Sequence, residues 1–122
     1  MTLLNRRNEE ISSQEWLDFT IQPDYRNIGV YLNEENDTKV STIWTGNPGN
    51  NFETLVKIGN EHCIISYDYE ENAIEGHERV EYEIQIDPDI HSIIVESDIE
   101  SVGRVVRCWP HNHHEDLPDE DF

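Results

Sequence analysis

Carboxylates are the side chains of this sequence most able to engage another molecule, and their most ordered run is Arg79-Val-Glu-Tyr-Glu-Ile-Gln-Ile-Asp87. Val80, Tyr82, Ile84 and Ile86 alternate there with polar residues, the period of a half-buried strand. That reading turns Val80, Tyr82, Ile84 and Ile86 inward and projects Glu81, Glu83 and Asp87 outward at intervals of about 6.6 Å. Asp68, Glu70 and Glu71, with Tyr69 among them, end the preceding segment and would extend the ladder if the two strands pair. An ordinary solvated sheet face mixes lysine with glutamate to relieve repulsion between neighbours, yet no lysine follows Lys57. Fixed carboxylates at near-phosphate spacing suit a protein that occupies the basic surface of a nucleic-acid-handling partner. Trp44, Tyr67, Tyr69 and Trp109 are candidate apolar anchors for such a contact.

Other constellations carry less. Glu61-His62-Cys63 suggests a Cys/His nucleophile, but neighbours on a strand point to opposite faces, so His62 would not activate Cys63. His77 and His91 are isolated and read as surface or rim residues. His111, His113 and His114 beside Glu115 and Asp116 could touch a metal, although a terminal tail lacks the rigid support that zinc sites need. Gly46-Asn-Pro-Gly49 is a turn and has no phosphate-loop spacing. The acidic loops at 33–37 and 70–72 lack a calcium-loop spacing. No residue is therefore assigned a catalytic or metal-binding role, and no cofactor is expected.

The elements that must position the carboxylates follow from turns and periodicity. Ser12-x-x-Glu15 fits a capping box opening a short helix through Trp16, Leu17 and Phe19, while Leu17, Phe19 and Ile21 also alternate as a strand would; Pro23 ends either one. Alternating runs then span Ile28 to Leu32, Val40 to Trp44, Phe52 to Ile58, Cys63 to Tyr69 and Val80 to Ile86, separated by turns at 33–37, 46–50 and Gly59-Asn60. Asp87-Pro88-Asp89 stops the last of these, or caps a helix; β-branched Ile93, Ile94 and Val95 favour a strand. A final strand runs from Val102 to Trp109. The expected fold is mainly β, a small antiparallel sandwich or barrel of about seven or eight strands with one short helix at most. The expected organisation is a loose segment at 1–12, a single β-rich domain at 13–110 and a flexible His-rich acidic tail at 111–122.

Bulk composition sets the partner class. The chain has 122 residues, 27 acidic and 8 basic, for a formal charge of −19. Residues 1–60 hold nine acids and five bases, residues 61–122 eighteen and three, so the second half carries the charge. Such a surface repels nucleic acid and anionic membrane and attracts basic proteins. The apolar fraction of 35% supports only a thin core, and no apolar run approaches the length of a membrane span. No export signal is visible. Two cysteines without a Cys-x-x-Cys spacing fit buried thiols in a reducing cytoplasm.

The expected function is binding without catalysis. An acidic inhibitor would neutralise a basic, nucleic-acid-acting protein through Asp68, Tyr69, Glu70, Glu71, Glu81, Glu83 and Asp87, for example as an immunity protein against a nuclease or deaminase toxin. A phage-encoded nucleic-acid mimic directed at a restriction or CRISPR effector uses the same physics. A small metal- or carbohydrate-binding β-sandwich is the alternative of another class.

Overall fold

The computed structural model describes residues 2–109, so the expected tail at 111–122 lies outside them. The chain is mainly β: five strands form one antiparallel sheet in sequence order, β3 (Asn27–Asn33), β4 (Thr38–Asn47), β5 (Asn50–Ile58), β6 (Glu61–Tyr67) and β7 (Arg104–Trp109). Two short strands, β1 (Leu3–Leu4) and β2 (Glu10–Ile11), make a separate hairpin. The turns expected at 33–37, 46–50 and 59–60 join β3 to β6 as a meander. Gly46, Gly49 and Gly59 take positive φ there, where glycine has no Cβ to clash.

Between β6 and β7 the chain is helical. Helix α3 spans Glu70–Ile86, α4 spans Ile90–Ser97, and a 3-10 turn covers Ile99–Ser101. The expected strand at 79–87 is thus the C-terminal half of a helix, and the favoured strand at 93–95 lies in α4. The second layer is helical, and the sheet is open with β3 and β7 at its edges, in place of the closed sandwich or barrel expected. Two periods compete in this stretch. Val80 and Ile84 lie inward on either reading, being four apart. Ala73, Gly76, His77, Val80 and Ile84 are all buried, at the three- and four-residue spacing of one helix face. Pro88 separates the helices, and the Asp89 carboxylate caps α4 by accepting from the Ser92 backbone N–H at 3.0 Å.

The core lies between that helix face and one face of the sheet. Val40, Trp44, Phe52, Val56, Cys63, Ile65 and Tyr67 project from the strands, with Ile93 and Ile99 beside α3. The opposite sheet face carries Ser41, Ile43, Leu55 and Ile64, which are only partly buried.

The N-terminal segment is held rather than loose. Ser12 and Glu15 form the complete capping box of α1 (Ser13–Thr20), and Pro23 opens the one-turn α2 (Pro23–Arg26). Phe19 stacks on Tyr25 at 4.1 Å, and Tyr25 meets the Trp44 ring edge-on at 5.1 Å. The Trp44 indole N–H donates to the Leu4 carbonyl at 3.0 Å and that of Trp16 to the Thr45 carbonyl at 2.9 Å. Trp44 and Tyr67 are fully buried, which removes both from the candidate anchors.

Gly76 sets how closely α3 approaches the sheet, because a Cβ at this position would enter the Tyr67 ring. Glycine inside a helix is about 1 kcal/mol less favourable than alanine. Gly76→Ala should nevertheless destabilise by about 2 kcal/mol, since a buried ring must yield to overpacking. Denaturant unfolding decides the sign, and a variant as stable as the parent would place α3 farther from Tyr67.

Candidate functional site

A buried polar chain joins the two layers beneath the charged helical surface. The Tyr67 hydroxyl is 2.9 Å from Thr54 Oγ1, which is 2.6 Å from Thr42 Oγ1, which is 2.7 Å from His77 Nδ1. His77 Nε2 lies 3.2 Å from a Glu81 oxygen, within ion-pair range but off the line of a good hydrogen bond. One proton assignment satisfies the hydroxyls: Tyr67 donates to Thr54, Thr54 to Thr42, and Thr42 to a neutral imidazole protonated on Nε2. Burial is the main cause holding His77 below its ordinary value, with Glu81 and Glu78 pulling the other way. Desolvation likewise pushes the Tyr67 phenol up to about 12, against the opposing effect of its hydrogen bond with Thr54. The Glu81, His77, Thr42 sequence superficially resembles a catalytic relay, but Thr42 and Thr54 are 0% exposed, so no substrate reaches either hydroxyl. The chain is structural, and His77, expected at the surface or rim, is a core residue packed over Gly29.

The expected carboxylate ladder does not exist as one array. Asp68 pairs with Arg104, with 3.3 Å between charged atoms. Glu70 is gripped by Arg6, with Nε to Oε1 at 2.9 Å and Nη2 to Oε2 at 2.6 Å. That bidentate bond is the main cause holding the Glu70 carboxyl below its ordinary range. Glu81 turns toward His77, and Asp87 is the C-terminal cap of α3 and forms no ion pair with any described residue. Tyr69 and Glu71 remain exposed at the helix start. Of the expected set, Glu83 is brought into a new grouping.

That grouping is a cleft of about 270 Å³ between α3 and α4, lined by Glu78, Arg79, Tyr82, Glu83, Glu96 and Ser97. Arg79 braces it: the guanidinium donates to Glu75 Oε2 at 2.6 Å and to the Ser97 carbonyl at 3.0 Å. A cation at the carboxyl end of α4 is favoured by the helix dipole. Glu78, Glu83 and Glu96 form no ion pair with any described residue. Ser97 Oγ is buried without a hydrogen-bond partner among the described residues. Along α3, Ile74, Glu78, Tyr82 and Ile86 follow one another at four-residue steps, and the three apolar members are 41%, 65% and 62% exposed. The cleft is therefore an acidic recess beside an unsheltered aromatic ring. Glu78, Glu96 and the outward Tyr82 were missed by the two-residue period; the helical spacing of Ala73, His77, Val80 and Ile84 is the signal that finds them.

Among the described residues, no three His, Cys, Asp or Glu side chains group as a metal would require. Among the same residues, no helix is long and apolar enough to cross a membrane.

Tyr82→Ala should shift stability by no more than about 0.5 kcal/mol, as for other exposed positions. Ile84→Ala, two residues away and buried, should cost about 3 kcal/mol. Equal losses in thermal unfolding would restore the strand pattern.

The neutral imidazole also makes stability depend on pH. The unfolded chain protonates His77 as pH falls through about 6.5, whereas the folded protein does so only at lower pH. Between those values the unfolded state binds more protons, so stability is full above the window and falls as pH drops through it. The melting temperature should decline from pH 7.5 to 5.5, and His77→Asn, which removes the titrating group, should flatten that decline. An unchanged slope would assign the effect to other groups.

Comparison with protein-family models, with curated proteins and with solved structures finds no match for this chain.

Proposed function

We propose that this protein is an acidic inhibitor that acts in the cytoplasm by docking its helical layer against a basic, nucleic-acid-acting protein, as an immunity protein does against a nuclease or deaminase toxin. The carrying observation is the segregation of charge. Residues 70–100 hold eleven acids and one base, Arg79, and all of them lie in or beside α3, α4 and the 3-10 turn. Four of the eight bases, Lys39, Lys57, Arg104 and Arg107, lie instead on strands of the main sheet.

The α3–α4 cleft suits a basic side chain of the partner. A guanidinium or ammonium would sit among Glu78, Glu83 and Glu96, with its aliphatic stem against the Tyr82 ring. Exposed Ile74 and Ile86 flank that contact and exclude water from it. Helix α3, 17 residues long, is about 25 Å from end to end and presents a convex ridge. A ridge of that length fits a recessed active site better than an extended nucleic-acid groove, which favours the immunity reading over a nucleic-acid mimic.

The test is binding to a panel of purified nuclease and deaminase toxin domains. For a domain that is bound, association should slow about tenfold between roughly 50 and 500 mM salt as exposed charges are screened. Glu78→Lys with Glu96→Lys should weaken binding at least tenfold, about 1.4 kcal/mol, while leaving thermal unfolding nearly unchanged. Lys39→Glu, on the sheet, is the control and should bind as the parent does. Failure to bind or inhibit any domain, or a folded double variant with parental affinity, would remove the proposal.

A further inference from the structure

Strands β6 and β7 pair with Cys63 directly opposite Cys108. Both thiols are free, and their sulfurs lie 3.1 Å apart. Cys63 is 1% exposed, whereas Cys108 is only half-buried, on a strand whose one neighbour in the sheet is β6. A disulfide needs the sulfurs at about 2.0 Å, an approach of about 1 Å that side-chain torsions supply without a new strand register.

We propose that Cys63 and Cys108 form a reversible thiol–disulfide site, oxidised to an intramolecular cross-strand bond by a small-molecule disulfide of the glutathione class. The two cysteines have different parts in the reaction. The Cys63 thiol donates to the Cys108 sulfur and holds the Cys108 thiol below its ordinary range, against some burial; the same contact, together with burial, pushes Cys63 up. Cys108, the more accessible sulfur, attacks as the thiolate. Its sulfur bonds to one sulfur of the oxidant, whose S–S bond breaks and releases one glutathione thiolate. Cys63 then gives its proton to water or to that thiolate and attacks the Cys108 sulfur. The Cys63–Cys108 bond forms as the mixed disulfide breaks and a second glutathione leaves. Two protein thiols are oxidised, and one glutathione disulfide is reduced to two thiols.

The bond would close a loop between residues 45 apart in sequence, within which lie α3, α4 and the 3-10 turn. The acidic layer would then be covalently bounded at the seam where the chain returns to the sheet. That seam is interrupted: the β6–β7 register shifts between Ile64 and Ile65, next to Cys63, so the cross-link reinforces the ladder where it is irregular. Closing a loop of this length restricts the unfolded chain and stabilises the folded one.

The full chain is incubated with excess oxidised glutathione, and its thiols, intact mass and disulfide-linked peptides are measured. The expected product is monomeric, has lost both titratable thiols and two hydrogen masses, and yields one peptide pair joining Cys63 to Cys108. Its melting temperature should rise by at least about 5 °C and return to the starting value after reduction. Cys63→Ser should stop at a persistent glutathione adduct on Cys108. If that variant fails to fold, the peptide map of the parent decides the question alone. Two thiols still titratable in the folded parent, stable adducts on both cysteines, or linkage only between chains would each overturn the site.

Discussion

The contact between α3 and the sheet depends on a buried chain of hydrogen bonds that links four polar side chains. Tyr67, Thr54, Thr42 and His77 come from β6, β5, β4 and α3, and an unpaired hydroxyl or imidazole at that depth would cost about 1–3 kcal/mol. Each link has a single geometry, so sliding α3 along the sheet by one residue would break the chain rather than lengthen it. Apolar packing of Val80 and Ile84 supplies attraction but tolerates many alignments. The hydroxyl chain chooses among them, and Gly76 removes the one Cβ that would hold the Tyr67 ring away from the helix. The outward positions of Glu78, Tyr82 and Glu83 follow from that alignment, which ties the geometry of the acidic cleft to a network it never touches.

Charge imposes the second constraint. A domain at −19 destabilises its own compact state through repulsion, and scarce cations are placed where they do structural work. Arg6 ties the N-terminal hairpin to the first turn of α3 through Glu70 and also lies over the Tyr25 ring at 5.5 Å. Arg79 joins α3 to the end of α4. Arg104 reaches Asp68 and Ser66 from β7. Each of these three arginines neutralises a carboxylate and also ties two elements together, Arg79 pairing with Glu75 on its own helix while reaching the Ser97 carbonyl of α4. Glu71, Glu78, Glu83 and Glu96, which form no ion pair with any described residue, lie on exposed helix faces or in the cleft, where water screens their repulsion.

The meander was legible in the sequence because its turns are chemically explicit. Asn-Pro-Gly at 47–49, Gly59-Asn60 and the polar run at 33–37 fix the strand ends, and alternation fills in the strands. His62 and Cys63 fall on opposite sheet faces as their adjacency requires, and the capping box at Ser12 and Glu15 forms as its spacing implies. The helical layer was misread for a definite reason. Val-x-Tyr-x-Ile-x-Ile over 80–86 satisfies a two-residue period through four positions, of which a helix buries only Val80 and Ile84. The deciding residues lie earlier, at Ala73, Gly76 and His77, where glycine is a poor helix former and histidine reads as a surface residue. Both follow from tertiary packing, which overrides local propensity: glycine is required by the Tyr67 ring on β6, and histidine by Thr42 on β4. The Arg6–Glu70 pair, 64 residues apart, is invisible to any local pattern for the same reason.

Replacing a strand by a helix changes what the carboxylates can recognise. On a strand, outward side chains stand in a straight row about 6.6 Å apart, and their likeness to a phosphate backbone rests on that regularity. On a helix, residues four apart share a face at about 6 Å along the axis while their neighbours fan around it, so Glu75, Glu78 and Glu83 do not form a row. The second helix makes a different use of them. Glu96 approaches from α4, Arg79 fixes the spacing between the helices, and Tyr82 offers an apolar wall. Three carboxylates around one recess create a strong local preference for a single cation, whereas a uniform row attracts any polycation without choosing among its charges. Selectivity of this kind is what the proposed inhibitor needs, because many proteins have basic surfaces and only one is to be blocked.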